Sequence, residues 1–455
     1  MQLHGRRASA LSVVALTSLA LGIGTTAGSS ATEATPSGHD ARTAYQHLAK
    51  SKAKDYIKLD LLALNDFHGN LDTVPSTSSS GRINNTPAGG AAYLASLIRH
   101  ERKSSRANGA KPLTVAAGDL IGASPLLSAA FHDEPTIKAM NEIGLDVASV
   151  GNHEFDEGYK ELRRMQRGGC LDDGAGANGQ DSCPGNQGFD GADFQYLSAN
   201  VKWEDPSAHG RDTLFPATKI FKVKGVKVAF IGMTLEGTPA IVSQAGIQGL
   251  DFTDEVETAN ALVPKLRAKG VKSIVVLLHE GISPTDGTAY NDCSTPKEPA
   301  PALEIAKNLS PAIDAVVSGH THQAYNCVVQ DRRQPAPAHQ RVVVRPHGDQ
   351  AAPADRPEDP RHRAPGGVRA EHHRPQRRSV TPAQDLLDLI ATYKTLVDPI
   401  ANKVIGHIAP ADQSGDQIKQ AADADGGDSA LGNLIADARR PTTRSSRTAR
   451  LRSSR

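Results

Sequence analysis

The chain has 455 residues, enough for two or three domains, and its 38% hydrophobic and 22% charged content allows most of it to bury a core. An aromatic content of 4% and a formal net charge of +1 argue against a dedicated binder of nucleic acid polymers. The charge is unevenly distributed. Residues 331–379 carry 11 Arg against 6 acidic residues, residues 439–455 carry 7 Arg and no acidic residue, and the rest of the chain is acidic, at −11. Both basic segments therefore differ from the body of the protein.

The N-terminus has the pattern of a secretory signal peptide over residues 1–31. A short basic start is followed by an apolar run from Ala10 to Gly24 and then by small residues. The run is too short to span a membrane, and Arg6-Arg7 permits the twin-arginine route as well as the general secretory route. A linker rich in Ser, Thr and Ala is expected over residues 32–54. The pattern predicts a secreted protein without a membrane span.

The four cysteines all lie in the exported part of the chain. An even number in an oxidising compartment predicts two disulfides, for which three pairings are open. We favour Cys170 with Cys183, which closes a loop rich in Gly, Asp and Asn, and Cys293 with Cys327. A four-thiolate zinc site is the alternative, but the sequence has no CxxC spacing.

Short apolar runs alternate with helical patterns from residue 55 to residue 330, which predicts a layered α/β domain. The apolar runs predict strands at 57–64, 113–117, 147–150, 196–201, 219–223, 226–231, 273–278 and 315–317. Apolar residues at helical spacing predict helices at 90–102, 135–143, 159–166 and 254–269.

Residues 331–379 interrupt this pattern with 11 Arg, 8 Pro and 5 His, and with no Leu, Ile, Phe, Tyr, Trp or Lys. Such a composition predicts neither a core nor a periodic element. The segment is either a basic linker or, as we prefer, the product of a shifted reading frame. A helical pattern then resumes, with Thr381 as the predicted N-cap and with Leu386, Ile390, Tyr393, Val397 and Ile400 along one face. The tail at 439–455 resembles a second frame shift.

Five short motifs follow directly after predicted strands: LNDFHGNLD at 64–72, AAGDL at 116–120, VGNHEFD at 150–156, LLHEG at 277–281 and SGHTH at 318–322. Loops at the carboxyl ends of strands converge on one crevice in layered α/β folds. The motifs supply oxygen and imidazole ligands without thiolate, a set that suits divalent cations. Each motif alone is compatible with turn or core residues, but five in order favour a metal site. The candidate residues are Asp66, His68, Asp119, Asn152, His153, His279, His320 and His322.

This set of motifs resembles the calcineurin-like metallophosphoesterase superfamily, and within it the secreted 5′-nucleotidase and UDP-sugar hydrolase family. The resemblance covers residues 57–330 and implies a four-layer αββα sandwich. It resumes over 381–438, where GDSALGNLIADA at 427–438 resembles the start of a second, substrate-binding α/β domain. The sequence ends before most of that domain, and no base-stacking aromatic or phosphate-binding arginine can be assigned.

The resemblance also implies the roles of the site residues. One divalent metal ion would be held by Asp66, His68, Asp119 and His322, and a second by Asp119, Asn152, His279 and His320, with Asp119 as the bridge. The metals would be Zn, Mn, Co or Mg. His153, which is not a ligand, and Asp156 match the catalytic dyad of the family, although Asp156 is also a candidate N-cap for the next helix.

The resemblance implies metal-dependent hydrolysis of nucleoside 5′-monophosphates or related nucleotides, and we expect the chain to act as a monomer. Hydrolysis of 2′,3′-cyclic nucleotides, UDP-sugars or a sulfur ester stays open, as does an inactive truncated metal-binding relative.

Overall fold

In the computed structural model, the residues that can be described are 57–73, 89–172, 180–284, 293, 296–323, 325–330, 340–344 and 380–404. The strands are β1 (Leu59–Leu64), β2 (Lys111–Ala117), β3 (Val147–Ser149), β4 (Gln195–Leu197), β5 (Val201–Trp203), β6 (Thr218–Val223), β7 (Val226–Thr234), β8 (Leu250–Phe252), β9 (Val271–His279), β10 (Ser283–Pro284), β11 (Pro296–Lys297), β12 (Ala315–Ser318), β13 (Asn326–Gln330) and β14 (Gln340–Val344). The α-helices are α1 (Ala91–Ala107), α2 (Leu126–Ala129), α3 (Glu134–Ile143), α4 (Gly158–Arg167), α5 (Glu255–Ala268), α6 (Pro301–Asn308) and α7 (Gln384–Ala401).

The strands form two main sheets with largely parallel pairing. The first sheet has the order β1-β2-β3-β4 and is parallel throughout. The second has the order β13-β14-β12-β9-β7-β6, in which only β13 and β6, the two edge strands, pair antiparallel with their neighbours. Parallel strands covered on both faces are apolar along their whole length. The continuous buried runs of β2 and β9 follow this rule.

The two sheets pack face to face, and helices cover both outer faces. The core between the sheets contains Leu113 and Val115 from the first sheet and Phe230 and Leu277 from the second. Helices α1, α3 and α4 bury their apolar faces on the outer side of the first sheet, and α5 and α6 do so on the second. The predicted αββα sandwich is therefore confirmed.

The predicted strand over 196–201 is in fact two strands, β4 and β5, that belong to different sheets. Asn200 lies between them, and its side-chain amide donates to the carbonyls of Thr234, at 2.7 Å, and Thr253, at 3.0 Å. Its carbonyl oxygen accepts from the backbone of Thr234 at 3.1 Å. These bonds turn the chain, so β5 pairs with β8 in a separate two-stranded sheet. The short helices α2 and α6 were not predicted.

The expectation that residues 331–379 contain no regular element is wrong, because β14 lies within them. This strand pairs in parallel with β12 and antiparallel with β13, so the edge of β12 is paired. Three consecutive valines, 342–344, carry the β propensity. Averaging the composition over 49 residues concealed this short run. The other residues of the segment lie outside the described part of the chain, and the origin of the segment in a frame shift stays a prediction.

Helix α7 packs across the outer helical layer of the first sheet. It begins at Gln384 with Ala383 as N-cap, so the predicted cap at Thr381 is wrong. The backbone N–H of Ala383 donates to the carbonyl oxygen of Ala92 in α1, at 3.0 Å. The predicted apolar face is confirmed, since Leu386, Ile390, Tyr393 and Val397 are buried, whereas Ile400 is 37% exposed. The helix therefore forms part of the same core as the first sheet and the helices that cover it.

We expect Leu386→Ala to destabilise the protein by about 2–5 kcal/mol, because it deletes a fully buried side chain and leaves a cavity. Urea unfolding followed by circular dichroism measures this change. Ile400→Ala is the matched control on the same helix and should cost much less, since Ile400 is partly exposed. Equal losses in the two variants would contradict the packing described for α7.

Both predicted disulfides are formed. Cys170 is bonded to Cys183 and Cys293 to Cys327, and all four cysteines are thereby used. Among the residues described, no helix is both long enough and apolar enough to cross a membrane. The predicted signal peptide, the linker at 32–54, most of the predicted start of a second domain and the tail at 439–455 lie outside the described residues.

Candidate functional site

All five motifs lie at the carboxyl ends of strands, as predicted, and their side chains meet at one edge of the sandwich. Asp66 and His68 follow β1, Asp119 follows β2, and Asn152 follows β3. His279 is the last residue of β9, and His320 and His322 follow β12. The first three motifs come from one sheet and the last two from the other, so the site bridges the two sheets.

A first group of ligand atoms comes from Asp66, His68 and His322, which lie within 4.8 Å of one another. The Nε2 atoms of His68 and His322 are 3.1 Å apart, and Oδ1 of Asp66 is 3.5 Å from Nε2 of His322. His68 Nδ1 is 2.9 Å from the Gly122 carbonyl oxygen. A carbonyl only accepts, so Nδ1 carries the proton and Nε2 presents its lone pair to the group.

A second group comes from Asp119, His279 and His320. His279 Nδ1 donates to the Ala117 carbonyl at 2.7 Å, which again leaves Nε2 as the ligand atom. Asn152 joins this group through Oδ1, which is 3.0 Å from His320 Nδ1. The seven predicted metal ligands are therefore brought together in two adjoining groups.

Asp119 touches both groups. Its Oδ2 lies 2.8 Å from His279 Nε2 and 3.7 Å from His68 Nε2, while Oδ1 accepts the backbone N–H of His153 at 2.9 Å. Burial opposes ionisation of this carboxyl group, but the surrounding histidines outweigh burial and hold the pKa of Asp119 below its ordinary value. A carboxylate enclosed by imidazoles is thus the centre of the site.

The backbone is left-handed at five of these seven residues, with φ of 46–74° at Asp66, His68, Asp119, His320 and His322. Such angles are uncommon outside glycine and cost ~1–3 kcal/mol each. Hydrogen bonds between the motifs hold the loops in place, for example from Asp66 N to Gly118 O, at 3.1 Å, and from His68 N to Asp119 O, at 3.0 Å.

The left-handed backbone also separates the two histidines of the SGHTH motif. His320 and His322 are not on the same side of an extended segment, since φ is 74° at His320 and 52° at His322. The turn separates the two imidazoles, so His320 joins the group of Asp119 and His322 joins the group of Asp66. Their assignment to different metals, which the resemblance implies, stays a prediction.

Glycines allow the loops to approach this closely. A Cβ atom on Gly151 would lie 2.2 Å from Oδ1 of Asp119, and one on Gly118 would lie 2.5 Å from Nδ1 of His279. Both distances are impossible for a real side chain, so these two positions require glycine.

Glu154 is a buried residue of the candidate site that no sequence pattern pointed to. Its buried carboxylate accepts the backbone N–H groups of Asp119 and Leu120, each at 2.8 Å, and that of Gly151. Burial, reinforced by the charge of Asp119, raises the pKa of Glu154 to about 7. Glu154 lies inside the motif VGNHEFD. Its role could not be predicted, because two of its three backbone donors come from a distant segment of the chain. Glu154 therefore positions two of the five loops.

We expect Glu154→Gln to lower metal affinity by ~10–100-fold, the usual effect of changing a residue that orients metal ligands. The glutamine NH₂ group cannot accept from backbone donors, so at least one of the three contacts is lost. Isothermal titration with Mn²⁺ measures the affinity. Glu304→Gln removes a carboxylate from the exposed Lys307–Glu304 pair and is the control. Unchanged Mn²⁺ affinity in a folded Glu154→Gln variant would contradict the positioning role.

His153 and Asp156 form the hydrogen-bonded pair predicted as a dyad. His153 Nδ1 lies 2.8 Å from Asp156 Oδ2, and this bond is the main reason that the pKa of His153 is raised. Asp156 also accepts the backbone N–H of Ala123 at 3.0 Å. The N-cap of α4 is Glu157, so the alternative role of Asp156 as a cap is not observed. His153 lies next to the first group, with its ring 5.0 Å from that of His68.

Residues 59–324 match the calcineurin-like phosphoesterase family. The fold and the paired groups of oxygen and imidazole ligands define a metallophosphoesterase, and the chain belongs to this family. Members of the family are hydrolases that use divalent metals, so the resemblance found in the sequence is confirmed at the level of the family.

Several curated proteins are similar to the chain. It is 31% identical over 415 residues to the endonuclease YhcR of Bacillus subtilis, a match that covers 90% of this chain and 30% of the relative. It is 32% identical over 409 residues to the cell wall protein Lmo0130 of Listeria monocytogenes, covering 85% of this chain and 48% of the relative. It is 30% identical over 275 residues to a snake venom 5′-nucleotidase of Gloydius brevicauda, covering 60% of this chain and 38% of the relative. The chain thus spans less than half the length of each.

A solved structure supports the fold. The 5′-nucleotidase precursor of Thermus thermophilus superposes with a TM-score of 0.52 at 24% identity, over 76% of this chain and 60% of the other. At this identity the similarity concerns the fold alone.

Proposed function

We propose that this chain is a secreted phosphoesterase of the 5′-nucleotidase type that binds two divalent metal ions and hydrolyses nucleoside 5′-monophosphates. The observation that carries the proposal is the position of Asp119, whose Oδ2 contacts the ligand atoms of both groups. The similarity to a 5′-nucleotidase over 60% of the chain supports the choice of substrate.

The residues present fit metal ions. At His279, the buried Nε2 atom lies 2.8 Å from Oδ2 of the Asp119 carboxylate. Two electron-rich atoms in contact inside a protein require a cation or a proton between them. The Nε2 atoms of His68 and His322 are also in contact, 3.1 Å apart. Imidazole, carboxylate and amide ligands without sulfur suit Zn²⁺, Mn²⁺, Co²⁺ and Mg²⁺.

Asp66, His68, Asp119 and His322 would hold one ion, and Asp119, Asn152, His279 and His320 would hold the other. When bound, the two ions supply Lewis acidity and neutralise negative charge on the phosphate. The protein holds their ligands fixed through the Gly122 and Ala117 carbonyls and through Glu154.

The protein also supplies a proton. His153 is bound to Asp156 through Nδ1, so the other ring nitrogen is the one that can face the leaving oxygen. The raised pKa of His153 favours its protonated form. We therefore assign to His153 the donation of a proton to the departing alkoxide and to Asp156 the orientation of the ring.

The proposal is tested by measuring phosphate release from AMP by the Mn²⁺-, Co²⁺- or Zn²⁺-loaded chain. The same preparation is assayed with p-nitrophenyl phosphate, 2′,3′-cyclic AMP and UDP-glucose. Saturable, metal-dependent hydrolysis with preference for AMP supports the proposal. Preference for the cyclic nucleotide or the sugar nucleotide would overturn the substrate assignment within the same family, and metal loading without hydrolysis of any ester would favour the inactive relative.

A second candidate function is the hydrolysis of phosphodiesters in a nucleic acid. The observation in its favour is the similarity to an endonuclease over 90% of this chain, a larger share than the 60% covered by the 5′-nucleotidase. Single-stranded DNA added to the substrate panel tests it. Cleavage of DNA at a rate above that for AMP would favour this candidate and overturn the expectation that the chain acts on no nucleic acid polymer.

Secretion is proposed from the N-terminal pattern, and similarity to a cell wall protein is compatible with it. Expression with the native N-terminus, followed by N-terminal sequencing of the exported protein, tests it. A mature N-terminus beginning close to residue 32 is expected. Gel filtration with light scattering tests the proposed monomer.

A further inference from the structure

A cluster of three side chains next to the dyad has the composition of a metal site of its own. We propose that His132, Glu157 and Glu161 form a third divalent-cation site, separate from the two ligand groups that share Asp119. One ligand atom from each of the three residues lies within 4.8 Å of the other two. His132 Nδ1 and Glu157 Oε2 are 2.5 Å apart. One imidazole and two carboxylates are a ligand set that Zn²⁺ and Mn²⁺ accept.

The cluster opens into a cavity of about 90 Å³. Five residues with carboxyl groups and two histidines line this cavity, and no lysine or arginine is among its described lining residues. A volume of this size holds a cation with bound water. A wall with more carboxyl groups than imidazoles, and without lysine or arginine, attracts a cation rather than a phosphate or a carboxylate.

Arg164 neutralises only part of the charge of the cluster. Arg164 donates to both carboxylate oxygens of Glu161, through Nε at 3.0 Å to each and through Nη2 at 2.6 Å to one of them, and its Nη1 donates to the fully buried Glu134 at 2.7 Å. One guanidinium is thus shared between two carboxylates. Glu157 has a neutral amide, that of Gln180 at 2.6 Å, as its other partner.

The arrangement of the two glutamates also favours a cation. Glu157 is the N-cap of α4 and Glu161 lies four residues further along, so the two carboxylates are neighbours on one side of the helix. Like charges at this spacing repel each other, and a cation between them converts repulsion into attraction. His132 belongs to the turn between α2 and α3, so the ion would join two separate elements.

The same cavity is lined by His153 and Asp156. A cation held by the cluster would therefore lie beside the pair that handles the leaving-group proton. Only this last consequence rests on the proposed function, since the binding of the ion by His132, Glu157 and Glu161 does not depend on it.

The test is the number of Mn²⁺ ions bound by the full chain, measured by isothermal titration and by electron paramagnetic resonance of free Mn²⁺. The wild type should bind three ions, and His132→Asn and Glu157→Gln should each bind two. Asparagine is chosen because φ at His132 is 51°, a value that asparagine tolerates. Glu101→Gln is the matched control, since it removes a carboxylate 4.0 Å from another histidine, His100, and should leave three. Circular dichroism checks that each variant is folded.

The same Mn²⁺ count in wild type and both variants would overturn the third site, as would loss of more than one ion in either variant. Asp119→Ala separates this inference from the proposed function. If the Asp119→Ala variant keeps one Mn²⁺ and the double variant Asp119→Ala/Glu157→Gln binds none, the third site stands whether or not the other two ions bind in the wild type. If the wild type binds two ions, Asp119→Ala loses both and Glu157→Gln loses none, the third site fails alone.

Discussion

Asp119→Ala is expected to abolish metal-dependent phosphatase activity and to weaken metal binding more than any other single ligand change. Asp119 is 1% exposed, and its Oδ2 contacts the imidazoles of both ligand groups. Removal of the carboxylate takes one ligand from each ion and leaves two positive charges without the anion between them. The loss of affinity should exceed the ~10–100-fold caused by changing a residue that merely orients a ligand. Metal content after dialysis, together with AMP and p-nitrophenyl phosphate assays, measures the effect.

The control is a carboxylate at the opposite edge of the same sheet. Asp146 accepts the backbone N–H of Thr114 at 2.8 Å and contacts Arg102 at 3.0 Å, so it stabilises β2 without approaching the ligands. Asp146→Asn should lower stability while leaving the number of bound ions unchanged. Full metal occupancy in a folded Asp119→Ala variant would show that the two groups do not share this residue, and the dinuclear assignment would then be wrong.

The position of the candidate site could be predicted from the sequence because parallel strands impose it. Asp66, Asp119 and His279 each stand at the carboxyl end of a short apolar run, and parallel strands bring such ends to one edge. The period of the apolar residues was also sufficient to predict α5 and the buried face of α7. The ends of these strands and the apolar faces of these helices depend on residues that are close in the sequence, so a single sequence is sufficient to predict them.

The residues that were missed depend on contacts between distant segments. Glu154 differs from a surface glutamate only because Asp119, Leu120 and Gly151 direct their amides at it. His132 meets Glu157 because α3 and α4 both pack on the first sheet, and no sequence pattern joins the two residues. Neither arrangement follows from periodicity or motif spacing.

The wrong predictions have a similar cause. Residues 331–379 lack nearly all large apolar side chains, yet β14 forms there because the exposed edge of β12 and the antiparallel strand β13 supply its partners. The short run of valines at 342–344 and the pairing with β12 and β13 together outweigh the average composition of the segment. At Asn200 a predicted strand is interrupted. The hydrogen bonds of its side chain turn the chain and end a run of residues whose sequence favours a strand.

His153→Ala is expected to reduce kcat by ~10²–10⁴-fold, the usual contribution of a positioned general acid, without changing the number of bound metal ions. The ring is 34% exposed, and its Nδ1 is held by Asp156, which places it beside the ligand groups rather than within them. Asp156→Asn should have a smaller effect, because it weakens the orientation of the ring but leaves the imidazole in place. Steady-state kinetics with AMP and metal analysis of the same samples measure both quantities.

The leaving group provides the sharper test of His153. A p-nitrophenolate departs without a proton, so His153→Ala should slow p-nitrophenyl phosphate hydrolysis much less than AMP hydrolysis. His100→Ala, which removes an imidazole that is 67% exposed, is the control and should leave both rates unchanged. Because His68, Asp119 and His153 also form a group of the size that holds a metal, loss of an ion from His153→Ala would make His153 a ligand. Equal loss of rate on the two substrates with full metal content would show that His153 stabilises the phosphate and does not protonate the leaving oxygen.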